Sequence, residues 1–180
     1  MERAYYTGIE TPIGVLWAAS TDEGLLRLTF PRPREIFLES LQGFEVVEEP
    51  ERFEELSILL GEYFDGHPVD FDIRLDLRGT EFQRAVWEAM RRIPYGRVST
   101  YGRIAEMVSR PGAARAVGNA VARNPIVIVI PCHRVVRSNG DIGEFGSGVE
   151  LKRRLLSIEG VLEAGLELSE RRQLLSHLWP

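Results

Sequence analysis

Residues 99–123 read STYGRIAEMVSRPGAARAVGNAVAR. Apolar residues recur at helical spacing on both sides of Pro111-Gly112, which predicts one helix beginning near Ser99 or Thr100 and another beginning at Ala113. Two short helices joined by a tight turn are typical of a helix-turn-helix motif. The stretch therefore predicts a mainly helical domain of that kind.

The second of these helices has two unlike faces. Five apolar residues are predicted to point inward, namely Ala113, Ala116, Val117, Ala120 and Val121. The outward face carries only basic, hydrogen-bonding or very small residues, namely Arg115, Gly118, Asn119, Ala122 and Arg123. A face of this composition lets a helix approach DNA closely, although small residues also allow two helices to pack together. We interpret it as a DNA-contacting face.

A further helix is predicted upstream, where Thr80 and Gln83 have the spacing of a capping box. It ends at Ile93-Pro94, because proline does not continue a helix. Its apolar residues recur on one side: Phe82, Val86, Trp87 and Met90. The segment is therefore predicted to be an amphipathic helix that precedes the helix-turn-helix.

The first third of the chain has a different pattern. Strand-like segments at residues 5–9, 15–19 and 25–30 are separated by turn signals, which predicts an antiparallel meander. Helical patterns cover residues 35–41 and 52–64, and strict alternation over residues 71–77 predicts a half-buried strand. We therefore expect an α/β protein with a small antiparallel-sheet α/β domain at residues 1–77, a helix-turn-helix domain at 78–160 and a helical tail at 161–180.

Charge is distributed very unevenly along the chain. The net charge of −5 argues by itself against a nucleic-acid binder. However, residues 1–76 carry 6 Arg and 17 acidic residues, whereas residues 77–160 carry 14 basic and 7 acidic residues, a net charge of +7. This change of sign predicts two modules, the second of which faces a polyanion.

Composition excludes several classes of protein. One cysteine cannot form an internal disulfide, and the three histidines are scattered, so no metal site is predicted. The longest apolar run, residues 126–130, is far shorter than the ~20 residues that span a bilayer. The N-terminus lacks a basic run followed by an apolar stretch, so we expect a cytoplasmic protein that binds no membrane.

The single cysteine stands directly after that apolar run, in the motif Pro131-Cys132-His133-Arg134-Val135. A lone cysteine beside an apolar run is usually a buried, inert thiol. However, His133 and Arg134, with Arg137 nearby, are groups that lower the pKa of a thiol and so favour the nucleophilic thiolate. Adjacency alone does not establish a hydrogen bond between Cys132 and His133.

Downstream of the motif, residues 143–148 form a Gly-rich loop that we interpret as the wall of a binding pocket. Ser147 and Glu150 have capping-box spacing, which predicts a helix with its inward side formed by Leu151, Leu155 and Ile158. Glu159 lies at the C-terminal end of this helix, where the dipole disfavours a carboxylate. Either Glu159 is an ordinary solvated residue or it has a compensating partner such as His133.

The cysteine motif resembles the active-site motif of the O6-alkylguanine-DNA alkyltransferases. The resemblance covers residues 82–160 and includes the segments at 95–101, 114–118 and 124–125. It implies direct-reversal DNA repair, in which O6-alkylguanine is flipped out of duplex DNA and the alkyl group passes irreversibly to Cys132, once per molecule. It further implies an RNase H-like first domain, a winged-helix-like second domain, no cofactor, and a cytoplasmic monomer that joins the nucleoid on DNA. The preference between O6-alkylguanine and O4-alkylthymine stays open.

The resemblance also implies roles for individual residues near the cysteine. His133, linked through water to Glu159, would take the thiol proton. Tyr101 would protonate the departing guanine at N3 and crowd the target phosphate, while Asn124 would brace the turn before the active site. A core hydroxyl and a loop cap are the ordinary alternatives for Tyr101 and Asn124.

The implied DNA and base contacts lie on the helix-turn-helix and the pocket loop. Arg115 would fill the gap left by the flipped base, the ordinary alternative being a phosphate clamp. The Val135 carbonyl would receive the guanine amine. Phe145 and Gly146 stand where many relatives have Tyr-Ser, and Ser147 follows them. The Gly146 N–H remains available to guanine O6. Any role of the serine side chain that relatives carry at the position of Gly146 is lost.

Two other classes of function remain open on the residues alone. The first is a helix-turn-helix regulator or damage sensor without transfer activity, although sensors of this family lack the cysteine. The second is a cysteine hydrolase, for which Cys132, His133 and Glu159 are suitable triad residue types.

Overall fold

The structure is a computed structural model that describes residues 1–166 and 168–180. The chain divides into two units, one formed by Met1–Arg78 with Pro125–Val127 and the other by Gly79–Asn124 with Ile128–Pro180. Within the described residues, no helix has the length and apolar character needed to cross a membrane.

The first unit is built on a four-stranded sheet. Strands β1 (Glu2–Thr11), β2 (Gly14–Thr21) and β3 (Gly24–Thr29) form the predicted antiparallel meander. A fourth strand, β4 (Phe44–Glu48), was not predicted and pairs parallel to β1, giving the order β3-β2-β1-β4. A helix between β3 and β4 makes this parallel pairing possible, because parallel neighbours need a crossover connection.

The helices of the first unit lie close to their predicted positions. They are α1 (Arg34–Glu39) and α2 (Glu54–Phe64), with a 3-10 turn at Pro50–Phe53 ahead of α2. Phe37 of α1 is completely buried in an apolar cluster with Tyr6, Ala19 and Leu26 of the sheet and with Leu41 of the turn after α1. Burial of this cluster attaches α1 to the meander.

The predicted strand at residues 71–77 is wrong. This segment makes a single bridge, between Leu75 and Leu25, with the Asp76 N–H donating to the Leu25 carbonyl at 2.8 Å. Further along β3, Leu28 instead bonds to residues 125–127, with its N–H 3.0 Å from the Pro125 carbonyl. Because the edge of β3 is shared between two segments, neither can extend into a strand.

The second unit begins with α3 (Glu81–Arg91), and its capping box is confirmed: the Gln83 N–H donates to Thr80 Oγ1, and the Thr80 N–H to Gln83 Oε1, both at 3.0 Å. The helix-turn-helix follows as α4 (Tyr101–Met107) and α5 (Ala114–Ala122). The buried Trp87 side chain joins α3 to α5, because its Nε1–H donates to the Ala120 carbonyl at 2.9 Å.

Short extended segments frame α4. Strand β5 (Ser99–Thr100) pairs parallel with β6 (Val135–Val136), which begins at the last residue of the cysteine motif. The predicted helix start is therefore slightly early: Ser99 and Thr100 are extended, and Thr100 caps α4 by accepting the Arg103 N–H at 3.2 Å. This pairing fixes the beginning of α4 beside the end of the cysteine motif.

The apolar run at residues 126–130 is buried as predicted but is not extended throughout. Ile128 has a φ of +70°, in the left-handed region that β-branched residues rarely adopt. Its side chain is only 1% exposed. The run therefore contains a turn where its composition predicts a strand.

Helix α6 (Val149–Ile158) begins at Gly148 without a side-chain cap, so the predicted Ser147 capping box is wrong. Because the N-cap is Gly148, Glu150 lies at the second helical position, and its carboxylate bonds to Arg153 at 2.5 Å instead. Of the three predicted inward residues only Leu155 is fully buried, whereas Leu151 and Ile158 are half-buried.

The tail contains α7 (Glu170–Ser176), which is capped by Ser169. Leu174 is completely buried in an apolar cluster with members from earlier elements: Val98, Val136, Ile142, Leu156, Val161 and Leu162. After α7 the backbone pairs with Val98, whose N–H donates to His177 O at 3.0 Å and whose carbonyl accepts from Trp179 N at 2.7 Å. The tail is thus bonded to the residue that precedes β5.

Candidate active site

Cys132 begins a single turn of 3-10 helix, Cys132–Arg134, between the buried run and β6. The residue is only 6% exposed. The Asn124 side chain holds the turn, because its Nδ2 donates to the Ile130 carbonyl at 2.7 Å and the same side chain hydrogen-bonds the Cys132 sulfur. Asn124 thus contacts both the backbone that presents the cysteine and the cysteine itself.

Burial governs the ionisation of Cys132. It raises the pKa of the thiol, and this effect exceeds the opposing contributions of the Asn124 hydrogen bond, the Lys152 charge and nearby backbone N–H groups. The resting residue is therefore a thiol, and a base is needed to generate the nucleophilic thiolate.

His133 and Glu159 form a buried pair, with His133 Nε2 2.5 Å from Glu159 Oε2. The contact is direct, so the water that the resemblance implied between these two residues is wrong: a separation of hydrogen-bond length leaves no room for it. Both side chains are completely closed to solvent. Glu159 lies at the C-terminal cap of α6, so its carboxylate is not the solvated surface group that was the ordinary alternative. The compensating partner expected from the helix dipole is present.

The two partners respond to burial differently. Burial lowers the pKa of His133, although the neighbouring Glu159 opposes this, so the imidazole is neutral at rest. Burial would raise the pKa of Glu159, but the charge of Arg134 and the hydrogen bonds from His133 and Arg134 outweigh it and hold that pKa below its usual range. The resting pair is a neutral base beside a carboxylate.

Arg134 does not lie against the cysteine as its position in the sequence suggested. Its Nε donates to Glu159 Oε1 at 2.8 Å and its Nη2 to Glu159 Oε2 at 3.2 Å. Its Nη1 donates to the Ile93 carbonyl at 2.8 Å, and its guanidinium lies 5.8 Å from the centre of the Tyr95 ring. Arg134 therefore joins His133 at the Glu159 carboxylate, and the expectation that it acts directly on the thiol is wrong.

Lys152 is a polar residue of the site that sequence reasoning missed. Its side chain is completely buried, and Nζ donates to the carbonyls of Val135 at 2.7 Å and Ile142 at 2.6 Å. Burial lowers its pKa to about 8. The available signal was helical spacing, since Lys152 precedes Leu155, Leu156 and Glu159 at i+3, i+4 and i+7 on the buried side of α6.

Tyr101 is the first residue of α4 and lies between α5 and the pocket loop. A Cβ added at Gly118 would be 3.9 Å from the Tyr101 ring, and one added at Gly143 would be 3.7 Å from its hydroxyl. Burial raises the pKa of Tyr101, and the nearby Cys132 adds to this, so the phenol is protonated at neutral pH.

The outward face of α5 is exposed as predicted at Arg115, Asn119, Ala122 and Arg123, while Gly118 is half-buried against Tyr101. The inward prediction holds for Val117, Ala120 and Val121, and Ala113 is half-buried. Ala116 is exposed, contrary to prediction, because it lies a residue before Val117 and so about 100° around the helix from it.

The pocket loop connects β6 to α6. Phe145 is half-buried, with its ring centre 5.8 Å from Lys152 Nζ, whereas Gly146 and Ser147 are exposed. A side chain at Gly146 would meet no atom within 4 Å. In the described part of the chain, no group of three or more His, Cys, Asp or Glu side chains is arranged to hold a metal ion.

These features are those of a helix-turn-helix protein that carries a buried thiol next to an imidazole–carboxylate pair. Two family models match the chain in order. Residues 4–77 match the ribonuclease-like domain of 6-O-methylguanine DNA methyltransferase, and residues 81–161 match its DNA binding domain.

Individual relatives agree with these matches. The methylated-DNA–protein-cysteine methyltransferase of Mycolicibacterium paratuberculosis is 45% identical over 154 residues, 86% of this chain and 91% of the relative. That of Methanosarcina acetivorans is 44% identical over 87% of this chain and 98% of the relative. The crystal structure of Mycobacterium tuberculosis OGT in complex with DNA superposes with a TM-score of 0.77 at 40% identity, covering 86% and 92% of the two chains.

The chain belongs to the 6-O-methylguanine DNA methyltransferase family, whose members repair DNA by alkyl transfer to cysteine. The predicted fold class, a sheet-containing first part followed by a helical DNA-binding part, is confirmed.

Proposed function

We propose that this protein flips O6-alkylguanine out of duplex DNA and transfers the alkyl group irreversibly to Cys132. The observation that carries the proposal is the buried His133–Glu159 pair adjoining Cys132, in the unit that also contains α5. The thiol needs a base because burial raises its pKa, and the neutral imidazole beside it is suited to that task.

Activation begins with proton transfer from the Cys132 thiol, through a water molecule, to Nδ1 of His133. The Glu159 carboxylate stabilises the resulting imidazolium, while the Asn124 hydrogen bond and the Lys152 charge stabilise the thiolate. In the low dielectric of a buried site these interactions are stronger than in water.

The thiolate then attacks the alkyl carbon. A carbon–sulfur bond forms as the bond between that carbon and guanine O6 breaks, and the electron pair passes into the guanine ring. Tyr101 supplies the proton that neutralises guanine at N3, and its raised pKa keeps the phenol protonated until that base appears. The product thioether is not a leaving group, so each molecule acts once, and no cofactor enters the reaction.

Transfer requires base flipping, because the buried Cys132 cannot reach a base that remains stacked in the duplex. Arg115 fills the vacated position, while Gly118, Asn119, Ala122 and Arg123 contact the surrounding DNA. Unstacking costs a few kcal/mol, which the inserted side chain and the backbone contacts offset. The flipped base lies between Phe145 and Ser147. The carbonyl of Val135 accepts a hydrogen bond from the guanine amine, and the N–H of Gly146 donates one to guanine O6.

The remaining proposals concern organisation and setting. Residues 1–77 act as the first domain, residues 78–160 as the domain that binds DNA and accepts the alkyl group, and residues 161–180 as a supporting tail. We place the protein in the cytoplasm as a monomer that associates with the nucleoid when it binds DNA.

Intact-mass measurement after incubation with duplex DNA containing O6-methylguanine tests the proposal. The protein should gain the mass of one methylene group, in proportion to the lesion supplied, and Cys132→Ser should gain none. Binding of the lesion without a mass change would instead indicate a damage sensor. Repeated turnover of an ester or amide substrate would indicate a cysteine hydrolase.

A further inference from the structure

Arg134 is a buried cation in the site for which the reaction described above has no use. Its side chain is 7% exposed and Glu159 is fully closed to solvent, so their ion pair lies in the protein interior. Removing two charges from water is costly unless the hydrogen bonds between them are well formed. The hydrogen bonds of this pair therefore determine how Glu159 is presented to the neighbouring His133.

The Glu159 carboxylate is held on both of its oxygens. Oε1 accepts from Arg134 Nε at 2.8 Å and from the Gly96 N–H at 3.0 Å. Oε2 accepts from Arg134 Nη2 at 3.2 Å and lies 2.5 Å from His133 Nε2. A carboxylate offers about four acceptor positions, so this set of partners leaves it no freedom to rotate.

Arg134 is itself fixed from a separate element. Its Nη1 donates to the carbonyl of Ile93, just after α3, and its guanidinium lies over the Tyr95 ring. The planar guanidinium presents its donors in a rigid fork, which the single ammonium of lysine cannot reproduce. Through these contacts Arg134 fixes the orientation of Glu159, at the end of α6, relative to the segment that follows α3.

This orientation determines which nitrogen of His133 carries the proton. An ionised carboxylate only accepts hydrogen bonds, so the nitrogen facing Oε2 must be the donor. The neutral imidazole then has its proton on Nε2, and Nδ1 is the nitrogen able to accept another proton.

We propose that Arg134 is a positioning residue for alkyl transfer: by holding both oxygens of Glu159, it keeps His133 in the tautomer whose Nδ1 receives the Cys132 proton. The inference rests on the proposed role of His133 as the base. Arg134 touches neither substrate nor sulfur and acts only through Glu159.

Nitrogen-15 NMR of the histidine rings tests this directly on unreacted protein without DNA. The chain has only three histidines, so the spectrum is simple to assign with His133→Gln. The wild-type His133 should show a protonated Nε2 and an unprotonated Nδ1. A wild-type spectrum with the proton on Nδ1 would overturn the proposal without any further variant. Because no alkyl donor is present, this result does not depend on whether Cys132 proves to be the acceptor.

Arg134→Lys supplies the second measurement. The His133 signals should shift towards a mixture of tautomers, and single-turnover transfer from O6-benzylguanine should slow about tenfold, the lower end of the usual effect of removing such a supporting contact. In a Glu159→Gln background the same change should slow transfer no further. The matched control is Arg154→Lys, at an exposed position on α6, the helix that ends at Glu159; it should alter neither the spectrum nor the rate.

Two results of the variant experiment would contradict the proposal. One is an Arg134→Lys protein with wild-type ring shifts and a wild-type rate. The other is an equal loss of rate with and without the Glu159 carboxylate, which would mean that Arg134 does not act through it. If Arg134→Lys fails to fold, Arg134→Gln replaces it in both measurements, with the same expected and contradicting results.

Discussion

Oε2 of Glu159 lies 2.5 Å from Nε2 of His133, and solvent reaches neither side chain. In Glu159→Gln a neutral amide would replace the carboxylate and stabilise the imidazolium less well. We expect single-turnover methyl transfer near neutral pH to fall roughly 10- to 100-fold. The rate should recover partly at higher pH, because hydroxide then removes the thiol proton directly.

The measurement is the rate of transfer as a function of pH, with circular dichroism to establish that Glu159→Gln is folded. Glu163→Gln, at an exposed position, is the control and should keep the wild-type profile. Superimposable curves for wild type and Glu159→Gln would remove Glu159 from the proposed mechanism.

Arg115 is exposed on α5, on the opposite side from the buried Val117. If it fills the gap left by a flipped base, Arg115→Ala should slow transfer from duplex DNA much more than transfer from free O6-benzylguanine, since only the duplex has to be opened. Single-turnover rates on the two substrates provide the comparison. Equal losses on both would argue for a role in the site itself rather than in DNA.

Arg123 lies on the same exposed face, where a phosphate contact would release a counterion on binding. We expect duplex affinity to fall steeply as salt rises, and Arg123→Ala to reduce the slope of log affinity against log salt by about 1. Fluorescence anisotropy at several salt concentrations measures the slope. Arg74→Ala, an exposed arginine of the first unit, should leave it unchanged, and a flat wild-type dependence would contradict phosphate contact.

The buried Lys152 makes stability depend on pH. Its pKa falls from 10.5 to about 8 on folding, so the unfolded chain keeps this proton to a higher pH than the folded protein does. Burying the charged ammonium lowers the free energy of unfolding. This destabilisation is fully present below pH 8 and disappears as the pH rises to 10.5. Relative to Lys152→Met, the wild-type free energy of unfolding should rise over this window by on the order of 3 kcal/mol.

Urea unfolding of both proteins across the alkaline range measures whether the wild-type free energy of unfolding rises with pH relative to that of Lys152→Met. Lys152→Met also loses the hydrogen bonds to the Val135 and Ile142 carbonyls, which displaces its curve at every pH without changing the slope. Parallel curves for the two proteins would mean that Lys152 keeps its ordinary pKa in the folded state.

Leu174 and Leu175 are neighbours on α7 with opposite environments, since the first is completely buried and the second is 37% exposed. Leu174→Ala should lower the free energy of unfolding by about 2–5 kcal/mol, whereas Leu175→Ala should change it far less. Chemical denaturation gives both values. Similar small effects would show that the tail contributes little to the core.

The sequence predicted most of the helical part because its signals are local. Thr80 and Gln83 specify a helix start within four residues, and Pro111-Gly112 marks the turn between α4 and α5. The strand at residues 71–77 failed because alternation records half-burial but not whether a partner edge is available. The left-handed Ile128 failed because a β-branched residue gives no sign of a positive φ.

The candidate site was predictable only in part for a similar reason. Glu159 stood out because a carboxylate opposes the dipole at a helix end, and the structure brings it to His133. The position of Arg134 near Cys132 in sequence predicts that this residue lowers the pKa of the thiol. The direction in which a side chain leaves a 3-10 turn cannot be predicted from the sequence. Lys152 was missed because a lysine is presumed exposed, and only the helix register shows that it faces inward.

The Val135 carbonyl, already bonded to Lys152 Nζ at 2.7 Å, has a consequence for base selectivity. A site discriminates strongly against an analogue when the missing group leaves a buried polar atom unpaired. Here a base that lacks the exocyclic amine, such as O6-methylhypoxanthine, leaves the carbonyl still satisfied by lysine. The amine should therefore add affinity for guanine while imposing little penalty on an analogue that carries hydrogen in its place.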